Sequence, residues 1–497
     1  VEITMASWWA SSLNVLIPLG LLGLGGCGPA PASLVGSNEQ AALPLPKDFQ
    51  VAFNHREGHR YRSPVSGQWR QGDDMEAMVV RAIGEARQEV LVAVQELSLP
   101  EVAKALVDRH RQGVVVRVVM ENTYSTPWSQ QSLAGLSPHQ RQRQAQLQAL
   151  GQPDAVALLQ RAGVPLVDDT ADGSAGSGLM HHKFMVVDRR VVVTGSANFS
   201  PSCVHGDPDD PGTRGNVNHL LRVDSAPLAA VFAEEFARLW GDGPGGALDS
   251  RFGLAKDSGP ARPVMVGQTR VEVLFAPHRR SDPRNGLHWL AERLAGVQRR
   301  LDLSLFVFSA QGLADTLATL PSRGVAVRLL ADPGFASRPF SEVLDVLGVS
   351  RPDGDCLLEA DNQPWQRPLE GVGTPRLAGG DKLHHKFAVI DNRTVITGSF
   401  NWSPSAAHQN DETLLIIDSP LLAAHFTREM DRLWRGAELG VSGRLERGLA
   451  RSRQRCGRGR ARPGRSRPSA TREAAQAPLP QAPVLAPLSM GETAPAP

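Results

Sequence analysis

Cysteine is scarce in this 497-residue chain, and the four present do not make a framework. Cys27 lies near the start and Cys456 near the end, which leaves Cys203 and Cys356 as a candidate disulfide outside the cytoplasm. No Cys or His spacing of the zinc-site kind occurs. The adjacent pairs His181-His182 and His384-His385 are poor metal candidates, because neighbours on a strand diverge. No metal and no cofactor is therefore expected. The apolar stretch from Leu13 to Leu24 is too short to span a bilayer. An excess of one charge is also missing: the formal net charge is +2. From residue 441 onward there are eleven arginines against three acids, so the remainder sits near −6. That is not a generally basic surface, which weakens a nonspecific nucleic-acid-binding reading. Length allows two or three domains, and a 41% hydrophobic share allows sizeable cores.

Against these absences stands one eighteen-residue constellation that occurs twice. The first copy, HHKFMVVDRRVVVTGSAN, holds His181, Lys183, Asp188, Gly195, Ser196 and Asn198. The second, HHKFAVIDNRTVITGSFN, holds His384, Lys386, Asp391, Gly398, Ser399 and Asn401. Neither spacing deviates by a residue. Strand alternation points His181 and Lys183 to one side and His182 and Phe184 to the other, with the same parity for His384 and Lys386. The runs Phe184 to Val187 and Val191 to Thr194 flank Asp188-Arg189-Arg190 as a β-hairpin, and Asp391-Asn392-Arg393 is the second turn. After each hairpin, glycine lets the backbone approach an anion, and Ser and Asn add donors beside backbone N–H groups.

Two such halves suit a phosphodiester. In-line displacement needs a nucleophile on one side of phosphorus and a proton donor for the leaving alcohol on the other, and two histidines can divide those tasks. Lys183 and Lys386, with Asn198 and Asn401, would hold the equatorial oxygens as their charge develops. These residues resemble the paired HKD motifs of the phospholipase D superfamily, and the string from Gly178 to Phe184 looks like a cyanobacterial-type secreted group within it. The resemblance covers about residues 75 to 440. It implies an α/β fold: two pseudo-symmetric α/β/α sandwich domains with mixed sheets, one motif each, and a metal-independent active site between them.

The repeat extends past the motifs. Leu228, Phe232, Phe236, Leu239 and Trp240 match Leu422, Phe426, Met430, Leu433 and Trp434 at one offset and at helical spacing, as core stripes. Met75 to Ala86 reads as an amphipathic helix behind an Asp73-Asp74 cap, and Leu287 to Val297 as its counterpart. Val90 to Val94 and Leu301 to Val307 lead through helices to Val114 to Met120 and Val325 to Leu330, a parallel crossover in each half. The boundaries expected are 1–27 for a signal peptide, 28–72 for a leader or linker, 246–270 for a linker, 73–245 and 271–440 for the two domains, and 441–497 for a disordered tail, Arg-rich and then Pro/Ala-rich.

The halves differ after the motif: one reads Asn410-Asp411-Glu412, the other Asn216-Val217-Asn218. The resemblance implies that a carboxylate at the Glu412 position accepts a hydrogen bond from a motif histidine, fixing its tautomer and stabilising its cation. On sequence position Glu412 belongs to His384, and His181 faces Asn218 unless Asp207, Asp209 or Asp210 takes its place. That pairing favours His384 as nucleophile and His181 as acid, whereas family habit favours the first histidine, and the alternatives stay open.

The string Leu24-Gly25-Gly26-Cys27 after the apolar stretch resembles a bacterial lipobox, which implies a signal peptide, lipidation at Cys27 and an exported, membrane-anchored lipoprotein. The expected protein is thus a monomeric phospholipase D-type phosphodiesterase with a phospholipid substrate, acting beside the membrane surface. The alternatives are a metal-independent endonuclease acting on nucleic acid, using the same histidine pair, or a non-catalytic binding protein.

Overall fold

In the computed structural model, which describes residues 42–149, 151–173, 178–206 and 212–461, each motif opens a strand in the middle of a mixed sheet. Lys183–Val187 turns at Asp188 and Arg189, both at φ 50°, into Val191–Gly195. Lys386–Ile390 repeats this around Asp391 (φ 52°) and Asn392 (φ 54°) into Thr394–Gly398. Two successive left-handed residues give a turn whose twist matches its strands, and Asp and Asn tolerate that conformation better than most.

The first sheet has the order Phe49–Phe53, His219–Asp224, Val191–Gly195, Lys183–Val187, Glu89–Val94, Val115–Met120, Leu166–Asp168. In the second, Thr269–Ala276, Glu412–Asp418, Thr394–Gly398, Lys386–Ile390, Arg300–Leu305, Ala326–Ala331 and Val372–Thr374 repeat that order, with Arg262–Val266 and Glu438–Leu439 added at the edges. Glu89–Val94 pairs parallel with Val115–Met120 and antiparallel with the motif strand, as Arg300–Leu305 does in the second half. The expected crossover units are present, and the fold is α/β with two mixed sheets.

Three apolar cores separate the layers. Helices Met75–Gly84 and Pro100–Arg111 cover one sheet, with Asp74 capping the first of them through the Ala77 N–H. Gly286–Ala295 and Gln311–Ala318 cover the other. Between the sheets lies a third core holding the stripes of Ala226–Trp240 and Pro420–Trp434, where Phe232 meets Phe184 and Phe426 meets Phe387 edge-on. The helix-end tryptophans are anchors, each under an arginine: Arg117 over Trp240 and Arg328 over Trp434.

Several expectations need correcting. Residues 28–72 are not all leader, because Phe49–Phe53 is the edge strand of the first sheet. Nor are residues 246–270 a plain linker: Arg262–Val266 pairs with Thr269–Ala276, and Lys256 is buried against Glu235 and Asp411. The tail expectation fails over Gly443–Cys456, a helix capped by Ser442 that buries Leu445 and Leu449, four apart. Cys356 bonds Cys456 rather than Cys203, which stays a buried free thiol. Cys27, the apolar stretch, and Asp207, Asp209 and Asp210 lie outside the described residues.

Candidate active site

The two halves are stitched together where the motifs begin. Met180, just before His181, bridges to Asp411, and the His181 N–H donates to the Asp411 carbonyl at 3.0 Å. Leu383, just before His384, bridges to Val217, and the His384 N–H donates to the Val217 carbonyl at 3.0 Å. Asp411 precedes Glu412 and Val217 precedes Asn218, so each histidine lies beside the acid or amide of the other half. His181 Nδ1 pairs with Glu412 at 2.8 Å, and His384 Nδ1 pairs with Asn218 Oδ1 at 2.9 Å. The assignment of Glu412 to His384 and Asn218 to His181 is thus reversed. Parallel bridging between halves overrides sequence proximity, a long-range pairing that spacing alone does not report.

Both rings thus use Nδ1 for the other half. Asn218 is oriented by its amide N–H groups, which donate to the Cys203 and Asn216 carbonyls at 3.0 Å each, so Oδ1 faces His384. The same oxygen accepts from Ser196 Oγ at 2.8 Å, and Glu412 accepts from Ser399 Oγ at 2.6 Å. The two motif serines therefore position Asn218 and Glu412 rather than face an anion. The glycines before them also have another use: a Cβ on Gly195 would lie 2.3 Å from the His219 carbonyl oxygen, and one on Gly398 2.2 Å from that of Thr413. They admit the neighbouring strand.

Asp188 and Asp391 do not join the site. Asp188 accepts from the N–H groups of Arg87, Gln88 and Glu89 (2.8, 2.7 and 2.9 Å), and Asp391 from those of Gln298, Arg299 and Arg300 (3.1, 2.8 and 2.9 Å). Each sits at the opposite end of the motif strand from the histidine, roughly 20 Å away along an extended chain, and fastens the entry to the adjacent strand.

The lysines do gather beside the histidines. Lys183 Nζ donates to the His181 carbonyl at 2.7 Å and Lys386 Nζ to the His384 carbonyl at 2.8 Å. Their remaining neighbours differ. Lys183 also meets Gln95 Oε1 at 3.2 Å, an oxygen shared with the Asn198 amide, while Lys386 lies 4.9 Å over the Phe306 ring. Gln95 and Phe306 follow equivalent strands, and neither was among the expected residues; comparing the residue after each upstream strand would have exposed the difference. Beside Gln95, Glu96 binds Arg143 at 2.8 Å, where the second half has Val307. Asn198 and Asn401 each keep a buried Oδ1 without a hydrogen-bond partner among the described residues.

Burial sets the electrostatics. It pushes the His181 imidazole down to about 4 despite Glu412, and His384, with Lys386 and Lys183 nearby and, among the described residues, no carboxylate partner, well below its ordinary range. It lowers the Lys183 ammonium to about 7, and Lys386, beside Lys183, well below its usual range. Burial would raise the Glu412 carboxyl, but His181, Lys183 and the Ser399 hydroxyl outweigh it and hold the group below the usual range. Four groups able to carry positive charge thus converge, with Glu412 the carboxylate felt by both lysines. Behind them His182 and His385 turn into the core. His182 meets Glu235 and Thr413, and His385 meets Glu429 and His219, so the second histidine of each pair is structural. Among the described residues no group of three His, Cys, Asp or Glu could hold a metal ion.

The sequence matches the family described as "Cardiolipin synthase, PLD-like domain" over residues 79–240 and 290–434, more than half of the chain and one match per half. The chain belongs to the phospholipase D superfamily. A mitochondrial cardiolipin hydrolase of Xenopus laevis is 32% identical over 145 residues, which are 29% of this chain and 59% of that protein. A phospholipase D of Rickettsia felis is 24% identical over 159 residues, 32% of this chain and 66% of that protein. Among solved structures, phosphatidylserine synthase of Haemophilus influenzae Rd KW20 superposes with a TM-score of 0.49 at 13% identity, covering 80% of this chain and 88% of that one. Within the superfamily fold, this chain's two motifs meet across a crossed pair of partners, His181 with Glu412 and His384 with Asn218.

Proposed function

We propose that the protein is a phosphodiesterase that hydrolyses glycerophospholipid head groups through a phosphohistidine on His181. The observation that carries this is the Glu412 carboxylate on His181 Nδ1, because of the two motif imidazoles on the His-x-Lys face only that one has, among the described residues, a buried anion to balance the cation formed when Nε2 bonds to phosphorus. In the first step the His181 Nε2 lone pair attacks phosphorus and the bond to the head-group oxygen breaks. His384 Nε2–H passes its proton to that oxygen. In the second, neutral His384 takes a proton from water, the water oxygen bonds to phosphorus, and the phosphorus–nitrogen bond breaks to release phosphatidate and free His181. Lys183, Lys386, Asn198 and Asn401 hold the non-bridging oxygens. A phosphodiester brings negative charge to a site where both imidazoles are otherwise neutral, so protonation of His384 is coupled to substrate binding.

Lipid rather than nucleic acid is favoured by the near −6 charge of the residues before 441 and by the lipid-acting relatives. The test is phosphatidate release from mixed phospholipid vesicles in excess chelator, with an acid-labile, base-stable phosphoenzyme trapped from labelled substrate. His181→Ala should lose both signals, with turnover down by about 10³-fold or more. His384→Ala should form phosphoenzyme slowly from an alkyl diester and nearly normally from a p-nitrophenyl ester, whose leaving group needs no proton. Phosphoenzyme on His384 in the unaltered protein would refute the assignment, and plasmid nicking without phosphatidate would move the substrate to nucleic acid.

A further inference from the structure

The helix Gly443–Cys456 lies beyond the residues that the family match covers, which end at 434. Between residues 441 and 461 stand seven arginines, all exposed, against one acid, Glu446. Leu445 and Leu449 fix one face of the helix on the second core and leave Arg447 and Arg451, four apart, in solvent. The helix is held at both ends: Glu438–Leu439, just before it, pairs with Val372–Thr374, and Cys456 is bonded to Cys356. This placement brings the arginines beside a cavity of the second half. Gly440, Ser442 and Leu445 line one crevice with Pro333, Ala336 and Ser337. The Arg351 guanidinium spans the two segments, donating to the Ser337 carbonyl and, at 3.4 Å, to Ser452 Oγ. Exposed Arg338 comes next in the chain, and Phe335 and Phe340 to either side of it line a space of about 760 Å³ that also reaches Asn401. The Phe335 ring centre is 4.6 Å from that of Phe306, which is 4.6 Å from that of His384. Burial first, and then Arg451, Arg338 and Arg455, hold Arg351 below the usual guanidinium range. Positive charge therefore dominates at Arg351, although Asp353, Asp355, Glu359 and Asp361 lie in the segment fastened to the helix end.

We propose that this face, Arg447 and Arg451 of the helix together with Arg338, docks on a membrane surface that carries anionic phospholipid and sets the mouth of the cavity against it. Docking stands apart from the phosphodiesterase reading, and only its effect on turnover rests on that reading. Large apolar side chains stand exposed among the arginines: Phe340 and Leu179 at the cavity, and Leu439 and Val441 just before the helix. A lipid surface satisfies both parts of such a face, because its phosphates meet the guanidinium groups while the apolar side chains enter the boundary of the acyl chains. A polynucleotide would leave the aliphatic side chains Leu179, Leu439 and Val441 without a partner. The near −6 charge of the residues before 441 would also oppose a strand running on past the arginines.

The test uses the full chain and two readouts. Sedimentation compares binding to vesicles of phosphatidylcholine alone with binding to vesicles of equimolar phosphatidylcholine and phosphatidylglycerol. An anchor at the start of the chain would serve both vesicles alike, so the ratio of the two affinities reads charge. The ratio should favour the anionic vesicles by about a hundredfold or more at low salt and shrink as salt is raised. Replacing Arg338, Arg447 and Arg451 together by glutamine should lower it by about fivefold for each arginine, and replacing all three by lysine should leave it nearly intact. Phosphatidate release from the mixed vesicles, divided by release from monomeric dihexanoyl phosphatidylcholine, should fall with the glutamine changes. Equal affinity for the two vesicles, a ratio that the glutamine changes do not move, or an equal loss with lysine would overturn the docking face. Binding of duplex DNA with the same arginine dependence, and of neither vesicle, would overturn it in favour of nucleic acid. Charge-dependent docking without phosphatidate from any lipid would uphold the face and refute the phospholipase reading. Phosphatidate from both vesicles with no dependence on charge would do the reverse.

Discussion

In the first half His181 has a carboxylate beside Nδ1 and Lys183 an amide oxygen; in the second, His384 has an amide beside Nδ1 and Lys386 lies over a phenyl ring. The covalent spacing of the two motifs is the same. The difference comes from residues outside them, Glu412 against Asn218 and Gln95 against Phe306, and it gives the two imidazoles the unlike surroundings on which the proposed division into nucleophile and acid rests. A duplicated site becomes a directional one when its neighbours cease to match.

The sharpest way to break this comparison is to exchange the neighbours. Glu412→Gln should lower kcat by about a hundredfold or more, because the cation on His181 loses its buried counter-charge. Asn218→Asp should cost less, about tenfold, by holding a proton on His384 too tightly rather than removing a partner. Single-turnover kinetics would separate them: the first variant should slow phosphoenzyme formation, the second its breakdown, where His384 must be neutral to take a proton from water. Equal effects on both steps would mean that the halves are interchangeable.

Next in size is the pH response of kcat/KM, which reports the free protein. His181 must be neutral to attack, and with its group lowered to about 4 it is neutral above that value, so activity should fall as pH drops through about 4. His384 must carry a proton to release the alcohol, and because burial holds it well below its ordinary range, activity should fall as pH rises above that lowered range, and more steeply above about 7, where Lys183 loses the proton with which it holds the anion. Gln95→Phe, which gives Lys183 the surroundings of Lys386, should move the alkaline limb to lower pH. A profile flat from 5 to 9 would remove Lys183 from anion binding.

The smallest effects should come from Asp188→Ala and Asp391→Ala. Each aspartate holds three backbone N–H groups far from the histidines, so each change should cost about 1–2 kcal/mol of stability in urea denaturation, by similar amounts, with kcat within about threefold. A large loss of rate at unchanged stability would return them to the chemistry.

What could be read from the chain beforehand follows the range of the interactions. The hairpins, the twin helices ending in Trp240 and Trp434, and the convergence of histidine and lysine on one strand face are set within twenty residues, and spacing reports them. The partners of His181 and His384 are not, because they lie 231 and 166 residues away and depend on which segment of one half bridges to the other. Ser196 and Ser399 were placed near the right centre but in the wrong task, since a serine that hydrogen-bonds an anion and one that hydrogen-bonds Glu412 have the same spacing from the histidine. The helix Gly443–Cys456 left a signal, Leu445 and Leu449 on one face, that the arginines around it obscured, and with it went the true partner of Cys356.

The crossed partners also set a clock on the making of the protein. His181 leaves the ribosome 231 residues before Glu412 does, and His384 reaches its amide only when the second sheet has formed against the first. A nascent or half-folded chain therefore carries a complete first motif whose imidazole has no charge-balancing neighbour until Glu412 has been synthesised and the second half has closed upon the first.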